Sequence, residues 1–99
     1  MNIKSISNTQ SFCGKEQYMK QFLVKAFDGN NATVRVHLNP AGNPTCMECY
    51  HHNDEGMLLG GFASGREPKL KLGEVATFLN KIRNLVPDIY EKFAEAMSR

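Results

Sequence analysis

A chain of 99 residues has room for one domain and one hydrophobic core, which excludes a large enclosed cofactor pocket. Its 41% hydrophobic and 22% charged residues exclude a disordered or fibrous chain, and no apolar run reaches the ~18 residues that would cross a membrane. A formal charge of +2 is too small to drive nucleic-acid binding by itself, so an electrostatic partner has to be met by a local patch.

Residues 1–17 read as an irregular N-terminal segment. Met1 to Gln10 carries Lys4 and no continuous apolar stretch, so no secretory signal is expected. Gln21 to Phe27 pairs with the strand that follows, around a turn at Asp28 to Asn31, although Tyr18, Met19, Phe22, Leu23, Ala26 and Phe27 also recur at helical spacing. Ala32 to Leu38 alternates cleanly, with Val34, Val36 and Leu38 on one face and Thr33, Arg35 and His37 on the other. Opposed residues share a face, so Val24 should meet Val34 or Val36 across a loop with an odd number of residues. Lys25 and Phe27 then lie on the outer face with Arg35 and His37.

Pro40, Gly42 and Pro44 break the ladder, Thr45 to His52 forms a third strand, and Asn53 to Gly56 turns into a fourth over Met57 to Ala63. Gly60 and Gly61 in that strand mark a bulge or a close approach of backbone. Val75, Phe78, Leu79, Ile82, Leu85 and Val86 fall on one helical stripe. Pro87 ends that helix and opens a second, whose apolar face is Ile89, Phe93, Ala96 and Met97. The expected fold is α+β: one domain over residues 1–99, with a four-stranded antiparallel meander over 18–63 and two C-terminal helices over 73–98 packed on one face.

Charge is distributed in blocks. Residues 1–38 carry Lys4, Lys15, Lys20, Lys25 and Arg35 against Glu16 and Asp28, for +3; residues 39–65 carry only Glu48, Asp54 and Glu55, for −3. Residues 66–83 return to +3 through Arg66, Lys69, Lys71, Lys81 and Arg83 against Glu67 and Glu74, and the remainder is −1.

Cys46 and Cys49, followed by His51 and His52, have the outline of half a zinc site. On a strand, however, the two sulfurs point to opposite faces and cannot share an ion. Three cysteines, Cys13, Cys46 and Cys49, are an odd number, and the reading is three free thiols in a reducing, cytoplasmic setting, with no metal and no cofactor. Cys13, His37, His51 and Asp54 include nucleophile and base types, but no local signature orients one against another, so an enzyme is not expected. The outer sheet face is more suggestive. If the third strand buries Met47 and Cys49, Tyr50 joins Lys25, Phe27, Arg35 and His37 there, and cations interleaved with rings suit single-stranded nucleic acid.

Leu23, Val24, Lys25, Ala26, Phe27, Asp28 and Gly29, followed later by Leu70, Leu72, Glu74, Phe78, Leu79 and Ile82, resemble in pattern the positive cofactor four family of single-stranded DNA-binding proteins. That resemblance covers under half the chain. It implies a non-enzymatic protein that binds single-stranded DNA or RNA through its sheet, with Lys25, Arg35, Lys69 and Lys71 meeting phosphate, Phe27 and Tyr50 stacking bases, and His37 beside them. A homodimer is compatible with it, and a membrane is not involved. The element order is equally similar to small phage proteins that inhibit host defence complexes. The alternative is therefore a protein interaction module of that anti-CRISPR kind, using the same polar surface or the Asp54 and Glu55 loop against a host protein complex.

Overall fold

The computed structural model describes residues 18–98. The strands are β1 Tyr18–Lys25, β2 Asn31–Leu38, β3 Pro44–His52 and β4 Leu58–Gly65, and the helices are α1 Leu72–Ile82 and α2 Ile89–Met97. The strands pair antiparallel in the order β1-β2-β3-β4. Each connection is a short turn, and Gly29, Gly42 and Gly56 take φ of +88° there, a left-handed conformation that costs glycine little. The α+β meander with two helices after it is as the periodicity required.

The register of the first hairpin differs from the expected one by two residues. Val24 lies opposite Ala32, and Phe22 opposite Val34. The reason is where β1 stops: it ends at Lys25, and the loop comprises residues 26–30, closed by the Ala26 N–H donating to the Asn30 carbonyl at 2.8 Å. The loop still has an odd number of residues, so the faces are preserved. Phe27 nevertheless leaves the ladder, because its N–H donates instead to the Leu85 carbonyl at 2.8 Å. The helical spacing around Tyr18 to Phe27 is overridden by this pairing.

Alternation directs Val24, Ala32, Val34, Val36, Met47 and Cys49 to the inner face, where they meet Leu70, Phe78, Leu79, Ile82, Val86 and Ile89 from the C-terminal third. α1 packs against β3 and β4, and α2 against β1. Phe78, Ile82, Val86 and Ile89 are all at 1% exposure or less, and each contributes about 1.5–3 kcal/mol by leaving water. α1 begins three residues before the apolar stripe does. The Glu74 carboxylate accepts from the Lys71 N–H at 2.8 Å and from Arg66 Nε at 2.8 Å, tying the start of the helix to the end of β4. The Lys71 N–H first, and then Arg66, hold that carboxyl below its ordinary value. Among the described residues no helix is long and apolar enough to cross a membrane.

Candidate interaction surface

The outer face of the two central strands is polar and yet closed. β2 places Asn31, Thr33, Arg35 and His37 opposite His52, Tyr50, Glu48 and Cys46 of β3. Asn31, Thr33, Arg35, His37, Glu48 and His52 are all buried. Such groups stay inside only when hydrogen-bonded or paired. Arg35 Nε donates to Gln21 Oε1 at 2.9 Å, its Nη1 lies 3.6 Å from Glu48 Oε1, and its guanidinium sits 5.3 Å from the centre of the Tyr50 ring. His37 Nε2 is 3.2 Å from the same Glu48 oxygen.

Farther along, His52 Nδ1 faces the Asn53 carbonyl at 2.9 Å, which assigns the proton to Nδ1 and leaves Nε2 to accept from the Thr33 hydroxyl at 2.7 Å. Asn31 Nδ2 donates to Asp54 Oδ1 at 2.6 Å. Desolvating an ion pair offsets much of its attraction, whereas removing one member strands the other at a cost of about 3–5 kcal/mol. The ladder therefore fixes how β1, β2 and β3 align. A carboxylate at 0% exposure has no route to a substrate.

The seven residues expected to contact nucleic acid are not brought together. Arg35, His37 and Tyr50 are adjacent, but the first two are buried and Tyr50 is half-buried. Lys25 is exposed at the end of β1 and donates to Asn31 Oδ1 at 3.3 Å. Phe27 is 68% exposed but lies off the sheet. Lys69 and Lys71 belong to the linker before α1, where they border a groove of about 420 Å³ with Pro44, Val75, Phe93 and Met97. That groove is on the helix side of the molecule.

The cysteines follow the strand geometry. Cys46 is on the outer face and Cys49 on the inner one, and among the described residues no cluster of three or more His, Cys, Asp or Glu could hold a metal. The expectation of three free thiols is corrected: Cys46 is disulfide-bonded. Cys13 lies outside the described residues. The free-thiol reading rested on the odd number of cysteines, and the argument from it to a reducing compartment fails at this position. Cys49 is free, and burial pushes its thiol up to about 12.

A run of exposed apolar residues begins at Met57, just before β4, and continues along the strand. Met57 is 61% exposed, Leu58 46%, Leu59 48% and Phe62 36%. β4 is the last strand of the sheet, and among the described residues no strand lies beside its outer edge. From Met57 to Gly65 there is neither a charge nor a proline, the usual devices that keep an edge from pairing. The opposite edge, β1, carries Lys20 and Lys25 and is packed by α2.

Small residues make β4 approachable. Tyr50 crosses over Gly61, where an added Cβ would stand 3.0 Å from the ring and 2.8 Å from the Cys49 carbonyl oxygen. Leu58, Gly60, Gly61, Phe62 and Ala63 with Tyr50 line a shallow hollow of about 390 Å³. Phe62 is anchored from beneath by Phe78, with ring centres 4.8 Å apart. Sequence reasoning placed this strand but not its exposure. The uncharged run was the available signal, and it acquires meaning only once the strand is known to be an edge. No family model, curated protein or solved structure matches the chain.

Proposed function

We propose that this protein is a non-enzymatic interaction module that engages a protein partner by strand addition along β4. The observation that carries the reading is an eight-residue edge strand with exposed leucines and no charge. An edge of this kind offers a row of backbone donors and acceptors, and its exposed side chains supply the apolar contact that makes such pairing selective. The surface required for nucleic acid is weaker support for function. Arg35 and His37 are engaged with Glu48 beneath the surface, and Lys25 lies at the Asn31 and His52 end of the sheet whereas Lys69 and Lys71 lie beside Pro44 at the other end.

The test compares wild type with Leu59→Lys, which introduces a charge at an exposed position of the edge. Immobilised wild-type protein should retain a native partner that Leu59→Lys loses, while both give the same circular dichroism spectrum and melting temperature. A labelled single-stranded oligonucleotide should bind neither protein at low salt. Salt-sensitive oligonucleotide binding that is weakened by Lys25→Ala or Phe27→Ala would overturn the reading in favour of nucleic acid.

A further inference from the structure

We infer that the groove bordered by the linker before α1 and by α2 binds a fatty acid, with Lys69 and Lys71 meeting the carboxylate and the acyl chain lying over Val75, Phe93 and Met97. The site is separate from β4, and the inference goes beyond strand addition. Backbone hydrogen bonds fix one wall of the groove. The Leu70 N–H donates to the Pro44 carbonyl at 2.7 Å, and Asn39 Nδ2 donates to the Pro68 carbonyl at 3.1 Å, so the linker is tied to the start of β3 and the loop before it. Leu70 turns inward to 5% exposure, while Lys69 and Lys71 on either side of it stay exposed at the margin of the groove.

Leu70, Val75, Phe93 and Met97 belong to the core or pack against it, so the groove is floored by the edge of the core. Its volume of about 420 Å³ falls within the range of small-molecule sites, which combine an apolar lining with a few polar groups. Here those groups are Lys69, Lys71 and Asn43, and among the described residues no carboxylate lines the groove. Glu74 is engaged elsewhere, accepting from the Lys71 N–H and from Arg66. The Met97 carbonyl, near the end of α2, accepts from Lys20 Nζ at 3.2 Å and so does not oppose an anion. Two cations beside an acid-free apolar floor call for an anion with an apolar body. Leu70 is too deeply set for a flat protein surface to reach, whereas a single acyl chain can follow the floor, and Met97 adapts readily to its shape.

Isothermal titration with octanoate, decanoate and dodecanoate, each below its micelle-forming concentration, tests the proposal together with methyl NMR of the full chain. Affinity should rise with chain length, by at most about fourfold per added methylene, the value for complete burial. The methyl signals of Leu70, Val75 and Met97 should shift, and those of Leu58 and Leu59 on β4 should not. The double variant Lys69→Gln, Lys71→Gln changes two exposed positions and should keep the wild-type melting temperature. It should bind decanoate about fivefold more weakly, as the loss of two exposed charge contacts would, and decanol no differently from wild type.

Decanol bound by wild type as tightly as decanoate would overturn the inference, and so would a double variant whose affinity for decanoate is undiminished. Shifts centred on Leu58 and Leu59 would overturn it by assigning the chain to the hollow on β4. Failure of all three acids to bind would overturn it as well, and retention of the protein by vesicles of anionic phospholipid in that case would assign the two lysines to a membrane surface.

Discussion

Cys49 shows how much of a residue's chemistry is decided by the face it occupies. Its neighbours on β3, Glu48 and Tyr50, point outward, while its own sulfur lies among Val34, Leu79 and the rest of the inner core. Burial disfavours the thiolate, so the thiol is raised from 9.0 to about 12. The native state thus holds a proton that the unfolded chain releases above pH 9, and stability from this group is complete below pH 9 and is lost as pH rises toward 12. The expected slope is about −1.4 kcal/mol per pH unit for one proton. Urea unfolding of wild type and Cys49→Ala at several pH values between these limits measures it. The wild-type stability should fall more steeply than that of the variant, and parallel curves would refute the assignment. The opposite facing of Cys46 and Cys49 was legible from strand alternation alone. The disulfide at Cys46 was not, because connectivity cannot be deduced from spacing and an odd number of cysteines spoke for free thiols.

Among the elements, β4 is where sequence and structure part most informatively. The paired glycines suggested a bulge or a close approach, and both occur. The register slips between His51 and His52, so that His51 faces Gly60 while His52 faces Leu58, and Tyr50 presses onto Gly61. The two glycines therefore have different work. Nothing lies within 4 Å of a Cβ added at Gly60, whereas at Gly61 it meets rigid backbone at 2.8 Å. Gly61→Ala should destabilise the protein by about 1–3 kcal/mol through overpacking, and Gly60→Ala by much less. Thermal melts of the two variants check this, and equal losses would mean that the β3–β4 register is different. The helix stripe was legible because its period and the burial of Phe78, Leu79 and Ile82 coincide. The hairpin register was missed because sequence fixes the parity of a loop but not its length. Hydrogen bonds closing residues 26–30 decided that.

At the scale of the whole molecule, the sheet is graded from a closed centre to an open margin. β2 is buried at seven of its eight positions, because one face meets the helices and the other holds the Arg35, Glu48 and His37 ladder. That second burial is what the sequence concealed. An alternating strand with Arg and His on its polar side reads as one-sided, and nothing in β2 itself distinguishes a solvated charge from one matched by Glu48 on the next strand. β4, in contrast, is exposed over its first five residues. Local opening costs least where few apolar contacts must be broken, so resistance to exchange should follow this gradient. We expect the amides of β2 and β3 to exchange only through global unfolding, with rates that fall together as denaturant is withdrawn. At protein concentrations low enough to disfavour association, the β4 amides bonded to β3 should exchange through smaller openings that depend little on denaturant. Native-state hydrogen exchange resolved by residue distinguishes the two classes. If β4 at low concentration is as protected as β2, the margin is not the open element that its exposed leucines indicate, and strand addition would have to occur elsewhere.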